Sequence, residues 1–316
     1  MDFSIGLVVF SMANIEFSDD SPKHEKRVTR LAAHKRRTLT MLNYFEYGTK
    51  HSLSGKQVRR YRLCHNYLLF RYFPDLEKTT LHEAKHCDMH LLCPMCAVRR
   101  AARAVMKYEE KTFELLNRNP RLRLYYVVLT VKNVERLDIG FAHLERSMRL
   151  LVARRRDALK AKRGVIKNNY ALNSVFAGVS AGAYSFEVKR GENSGLWHPH
   201  VNLLLLTDKS ISQVAISEEW REITRDSYVV HCEKKPDTRK AFVEIFKYAL
   251  KFSDMELGDT YHAWETLRGR RLTGSFGDFR GLEIVKDETK DVPLAFEELF
   301  YRFDGYEYTL NNKKRL

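Results

Sequence analysis

The stretch WHPHVNLLLL, Trp197 to Leu206, most constrains the fold, because it sets two histidines one residue apart in a run that otherwise reads as a buried β-strand. Side chains alternate across a strand, which puts His198, His200 and Asn202 on one face while Val201 and the leucines fill a core. Polar side chains on a core strand need partners. Taken alone, the pair reads as two histidines satisfied by neighbouring carbonyls, and other segments of the chain weigh against that plain reading.

Upstream, AYSFEVKRG (183–191) reads as a strand carrying Glu187, and RGENSGL as a turn. An antiparallel hairpin then lets Glu187 approach His198 and His200 across the strand pair. LYYVVLTVKNV (124–134), rich in β-branched and aromatic residues, is a further strand. Phe141, Leu144, Met148, Leu151 and Val152 recur at helical spacing, predicting an amphipathic helix over 139–162 that stops at Gly164. Its polar face carries Arg146, Arg149, Arg154, Arg155, Arg156, Lys160 and Lys162. Helices are also expected after Pro22, near 211–225 and after Asp237, which can cap TRKAFVEIFKYALKFSD. A strand is expected near 228–233, a basic loop at 49–60, a strand-like run at 60–73 and a Gly-rich loop at 271–281.

Five cysteines, an odd number in a chain of this length, make a poor disulfide framework. Three cluster as Cys87, Cys93 and Cys96, and the Cys93-Pro94-Met95-Cys96 turn lets two thiolates reach one zinc. A tetrahedral ion needs a fourth ligand; Cys64 is preferred, with His90 and His86 as alternatives. The basic helix that follows begins with Arg99, Arg100 and Arg103, placed to contact DNA backbone. Lys and Arg number 55 against 40 Asp and Glu, and the +15 balance makes a polyanion the natural partner. No apolar run approaches the ~20 residues of a bilayer-spanning helix. The N-terminal FSIGLVVFSMA follows Asp2, without the positive region of a signal peptide, and Met12 offers an alternative start, so residues 1–11 read as an upstream extension and the protein as cytoplasmic.

In the helix after Asp237, Glu244, Tyr248 and Lys251 are spaced four and three residues apart and project from one stripe. Each alone reads as packing or surface charge.

Together, these segments resemble the HUH endonucleases, and in particular the replication initiator (Rep) proteins of rolling-circle plasmids. VVLTVKN matches the first motif of that family, WHPHVNLLL its metal-binding second motif and EIFKYALKFSD its third, with a nucleophile-bearing Y-x-x-K turn. The C-x5-CPMC-x2-RR stretch is similar to the cysteine motif of one branch, in which a glutamate one turn before the tyrosine also acts; Glu244 stands there. The resemblance spans roughly residues 60 to 280. One departure stands out: many relatives continue the second motif as H-P-H-x-H, and here the third position is Asn202.

The resemblance implies an α+β fold, an HUH-like antiparallel sheet flanked by helices, with an N-terminal zinc-bearing, DNA-binding portion. The corresponding division is a basic extension at 1–60, a Cys-rich segment at 61–120, a nicking and joining domain at 121–285 and a tail at 286–316. It implies Mn²⁺ or Mg²⁺ on His198, His200 and Glu187, a structural Zn²⁺ on Cys64, Cys87, Cys93 and Cys96, and attack by Tyr248 on single-stranded origin DNA. Lys251 would assist the phenol and Glu244 would activate water for a terminating cleavage. Plasmid origin DNA, host helicase and host DNA polymerase are the implied partners. A transposase or relaxase of the same chemistry is the alternative among enzymes, and a non-catalytic zinc-containing DNA-binding regulator the alternative outside them. The regulator would leave the HPH strand and the Glu244, Tyr248, Lys251 stripe without a purpose.

Overall fold

A computed structural model describes residues 23–48, 53–191, 194–246, 255–283 and 295–315. In chain order its elements begin with helices α1 (Lys23–Asn43) and α2 (Gly55–Leu63), strands β1 (Tyr67–Phe73) and β2 (Lys78–Glu83), helix α3 (Pro94–Arg118), strand β3 (Arg123–Thr130) and helices α4 (Leu137–Lys162) and α5 (Asn169–Leu172). Next come strands β4 (Ala181–Arg190) and β5 (Trp197–Thr207), helix α6 (Gln213–Thr224), strand β6 (Val230–Lys235) and helices α7 (Thr238–Phe246) and α8 (Leu257–Leu267). Strands β7 (Thr273–Gly277), β8 (Glu297–Phe303) and β9 (Tyr308–Arg315) complete it. The fold is α+β, with two antiparallel sheets and flanking helices, and no helix among the described residues is long and apolar enough to cross a membrane.

The chain divides into two compact units, one of them formed by residues up to Arg103 together with those from 287 onward and the other by 104–286. The first unit thus takes in residues from the expected extension, from the Cys-rich segment as far as Arg103 and from the expected tail, while 104–120 of the Cys-rich segment falls in the second. Its sheet has the order β2-β1-β8-β9, all antiparallel. Val28 and Ala32 of α1 pack on Leu68, Phe70 and Tyr308 of that sheet. His24 packs edge-on against Phe70, with ring centroids 4.8 Å apart, and its Nε2 lies 2.9 Å from the Tyr301 hydroxyl.

The loop expected at 49–60 and the strand-like start of 60–73 are corrected where α2 runs through both. Ser54 accepts from the Gln57 amide at 3.3 Å while the Gln57 side chain accepts from the Ser54 amide at 2.8 Å, a capping box that starts a helix just before the Val58 and Tyr61 face is buried. Strand propensity takes over only from Tyr67.

The second unit carries a sheet of order β6-β3-β5-β4-β7, also antiparallel. β5 is central and covered on both faces, which explains why Leu203, Leu204, Leu205 and Leu206 are all fully buried. Phe141 of α4 meets Phe186 of β4 at 5.4 Å on the Val201 face, and α7 lies against β4 and β5. The Gly-rich loop expected at 271–281 instead contains β7. Cross-strand partners Gly182 with Phe276 and Tyr184 with Gly274 are reciprocal: each ring lies where the opposite glycine would carry a Cβ, within 2.2 and 2.3 Å. Glycine is needed there because an aromatic ring fills the place of its side chain. Gly164 adopts φ +72° just past the end of α4, the left-handed stop its position predicts.

Arg154, placed by its spacing on the exposed basic face of α4, is buried. Its Nε lies 3.5 Å from Glu219, its Nη1 lies 2.6 Å from Glu222, and its guanidinium stacks 3.9 Å from the Tyr170 ring. Glu219 also accepts from the Ser174 hydroxyl at 2.6 Å and the Val175 amide at 2.8 Å, while burial pushes its carboxyl pKa up.

Removing one partner of such a set strands the other in the interior. Glu219→Ala should therefore lower unfolding stability by about 3 kcal/mol, measured by urea unfolding; a loss below about 0.5 kcal/mol, the range of a surface substitution, would contradict this account. Burial, reinforced by Arg27, depresses the His24 pKa below 6.5. Stability from a neutral His24 is therefore complete above pH 6.5 and lost as pH falls below it, since the unfolded chain binds the extra proton. Melting temperature should drop on acidification from pH 7 to 5, and His24→Phe, which keeps the ring packing, should make that drop shallower.

Candidate active site and metal centre

The β4–β5 hairpin pairs Glu187 directly with His200, and Asn202 with Ser185 on one side and Val128 of β3 on the other. His200 Nε2 lies 3.0 Å from Glu187 Oε2, and the same oxygen accepts from Asn202 Nδ2 at 3.0 Å. Glu187, His200 and Asn202 are 2, 6 and 1% exposed, so the polar group sits inside the sheet layer, at the end of the strand where the leucine run stops. His198 stands further out. Its ring centroid is 5.2 Å from that of His200, and its Nδ1 is 2.6 Å from Asn133 Oδ1.

These contacts decide which atoms can take a metal. The Asn133 carbonyl oxygen accepts only, so His198 Nδ1 carries the proton and Nε2 keeps its lone pair. Desolvation, then His200 and Lys189, pushes the His198 pKa down to about 4, leaving the ring neutral at pH 7. Two imidazole nitrogens and a carboxylate oxygen suit a divalent ion such as Mn²⁺ or Mg²⁺. The 3.0 Å separation of His200 Nε2 and Glu187 Oε2 matches the edge between adjacent ligands of a six-coordinate ion with ~2.1 Å bonds. The donor types and this one spacing suit such an ion, while the set with His198 does not close into a compact three-donor group.

Helix α7 begins as Asp237 predicts, with the Asp237 side chain accepting from the Lys240 amide at 2.9 Å. Glu244 projects from it and pairs with Lys235 of β6 at 3.0 Å. Lys235 also meets Glu233 at 2.7 Å and lies 5.3 Å from the centre of the Tyr126 ring. Glu233, then Glu244, raises the Lys235 pKa and keeps it charged. Register places Glu233 opposite Tyr126, His231 opposite Val128 and Val128 opposite Asn202, which puts these residues on the same sheet face as the histidines. Tyr248 and Lys251 lie outside the described residues.

In the first unit, Cys64, Cys87, Cys93 and Cys96 converge, all four sulfurs lying within 4.8 Å of one another and all buried. Cys64 stands at the end of α2 and not on a strand, and a polar, buried setting holds it there. Lys35, 1% exposed, donates to the carbonyls of Arg62 at 3.0 Å and Cys64 at 2.6 Å and to Asn66 Oδ1 at 2.8 Å, satisfying the last carbonyls of that helix. Sulfur separations are 3.7 Å for Cys64–Cys93, 3.7 Å for Cys64–Cys96 and 3.6 Å for Cys87–Cys96. A tetrahedral ion with ~2.3 Å bonds to sulfur sets its ligands about 3.8 Å apart. Contacts with Cys64, Cys93 and Cys96, together with burial, raise the Cys87 thiol, because four thiolates cannot share this space without a cation. The cluster can hold a metal such as zinc. Among the described residues no other group of three or more His, Cys, Asp or Glu donors closes this tightly, the His198, His200 and Glu187 set included.

His86 faces the His65 ring at 4.7 Å and hydrogen-bonds the Cys96 sulfur, His90 contacts Arg100, and neither histidine belongs to the group of four that closes on one point. Arg99 reaches Asp88 at 3.4 Å, Arg100 is held by His90, and Arg103 is exposed. Sequence reasoning missed Asn133, Tyr126 and Lys235. Asn133 closes the VVLTVKN run, and a polar side chain just past a strand end was the one signal available.

The purified chain should carry one zinc, and Cys87→Ser or Cys96→Ser should lose it and melt at lower temperature. Metal analysis of protein isolated under reducing conditions tests this; a metal-free chain whose melting is indifferent to chelator would sink it.

No family model matches the chain, and no solved structure matches it. It is 25% identical over 265 residues to the protein named Protein rep of Streptococcus pneumoniae serotype 2 (strain D39 / NCTC 7466), covering 76% of this chain and 77% of the relative. It is also 25% identical over 246 residues to Protein rep of Lactiplantibacillus plantarum, covering 71% of this chain and 70% of the relative. At this distance, over about three quarters of the chain, the likeness supports a Rep protein.

Proposed function

We propose that the protein is a rolling-circle replication initiator of the HUH type, which nicks and rejoins one strand of plasmid origin DNA. The observation that carries this reading is the single sheet face on which His198, His200 and Glu187 lie together with the Lys235 that anchors Glu244 of α7. Similarity to two proteins named Protein rep agrees with it.

The residues divide the work by their chemistry. His198, kept in place by Asn133, and His200 would hold a divalent ion with the Glu187 carboxylate. That ion would supply positive charge to the nonbridging oxygens of the scissile phosphate. Tyr248 follows α7 in the chain and is the nucleophile: its phenolic oxygen forms the bond to phosphorus while the bond to the 3′ oxygen breaks. The products are a 5′-phosphotyrosyl link and a free 3′-OH, which host polymerase would extend behind a host helicase. A phenol with an ordinary pKa of ~10 needs a nearby positive charge to react at neutral pH, a role suited to Lys251. Glu244, tethered by Lys235, would take the proton of a water that makes the second cleavage, at termination. The Cys64, Cys87, Cys93 and Cys96 centre would stiffen the start of α3, from which Arg99, Arg100 and Arg103 reach origin phosphates.

On a supercoiled plasmid bearing the origin, Tyr248→Phe should abolish both nicking and the covalent protein–DNA adduct. Glu244→Ala should still nick but fail to release closed circles. Adduct formation by Tyr248→Phe would refute the nucleophile, and absence of nicking with any divalent metal would refute the enzyme reading altogether.

A further inference from the structure

We infer that Asn202 and Tyr126 are positioning residues that aim the Glu187 carboxylate at the metal face. The inference rests on the metal reading of His198, His200 and Glu187 and goes beyond it by giving a task to the residue where this chain departs from H-P-H-x-H.

The geometry is directional. Tyr126 on β3 donates its hydroxyl to Asn202 Oδ1 at 2.8 Å, and Asn202 on β5 donates Nδ2 to Glu187 Oε2 on β4 at 3.0 Å. An ionised carboxylate only accepts, which fixes the amide with its nitrogen toward Glu187 and its oxygen toward Tyr126. The phenol must then be the donor. Each dipole in the chain points its positive end toward Glu187, so the two hydrogen bonds run in one direction onto Oε2. Asn202 and His200 meet the same oxygen, Oε2, each at 3.0 Å, from two successive residues on one face of β5. Asn202 holds that oxygen from behind while His200 stands beside it as a fellow ligand, the usual service of a group behind a metal ligand.

Position argues in the same direction. Asn202 is 1% exposed and its same-face successors on β5 are Leu204 and Leu206, so an apolar residue would suit the core at this point. Three adjacent strands each contribute one member, and their register holds the chain without help from a loop. Tyr126 also lies under Lys235, the partner of Glu244, which joins the metal face and α7 into one polar network.

Binding of Mn²⁺ to the zinc-replete full-length chain, followed by the loss of the free-ion paramagnetic resonance signal, tests this without reference to nicking. His200→Ala should abolish binding. Asn202→Ala should raise the Kd by about 10- to 100-fold. Tyr126→Phe, which removes a single hydroxyl and keeps the ring, should shift it in the same direction by less. The double variant should be no weaker than Asn202→Ala, since the two act in series. If Asn202→Ala does not fold, Tyr126→Phe decides. Wild-type affinity in Tyr126→Phe and Asn202→Ala alongside loss in His200→Ala would overturn the positioning role and leave the metal reading standing. Unchanged binding in His200→Ala would overturn both.

Discussion

A carboxylate 2% exposed within a five-stranded sheet is the constraint on which the second unit turns. Glu187 cannot be buried unless polar groups meet it, and they come from the central strand beside it: the Asn202 amide donates to its Oε2, and the His200 ring stands against the same oxygen. That requirement fixes the β4–β5 register, because a slip of one residue would send both side chains to the opposite face and leave the carboxylate among leucines. It also accounts for the abrupt change along β5 from four fully buried leucines to a polar triplet.

In the first unit the equivalent constraint is the convergence of four sulfurs. Cys64 arrives from the end of a helix, Cys87 from the segment after β2, and Cys93 and Cys96 from the turn that opens α3. Burying them draws in a lysine: Lys35 donates three hydrogen bonds to the end of α2, and burial lowers its pKa while Cys64, Cys93 and Cys87 push the other way. Tyr61 and Tyr308 complete the enclosure through backbone carbonyls, at 2.9 Å to Leu92 and 2.6 Å to His65. The wall of this cluster is thus made of polar groups turned toward carbonyls, a composition that hydrophobic patterning alone does not flag.

Much of the site was legible where the signal was local. Period-two alternation put His198, His200 and Asn202 on one face, and a hairpin turn put Glu187 opposite them; both are consequences of strand geometry that need no partner element. The CPMC turn and the Asp237 cap are likewise properties of a few consecutive residues. The misreadings have equally specific causes. α2 was hidden because Arg59, Arg60 and Arg62 mask a helix whose buried residue is Tyr61, and β7 because the place of a side chain at Gly274 is filled by the Tyr184 ring of β4. Arg154 looked like one more charge on a basic helix and is instead enclosed by Glu219, Glu222 and Tyr170.

By itself, the sequence determined which chemical groups are present and, through short spacings, which neighbours share a face or a turn: the histidine pair and the CPMC thiolates. Only the tertiary structure decided what stands behind them. Tyr126, Asn202 and Glu187 come from three strands, with Tyr126 76 residues from Asn202, and Cys64 joins Cys93 from 29 residues away. Periodicity carries information over one or two turns of chain, whereas these contacts are set by sheet order and by the burial of groups that must find donors wherever the fold supplies them.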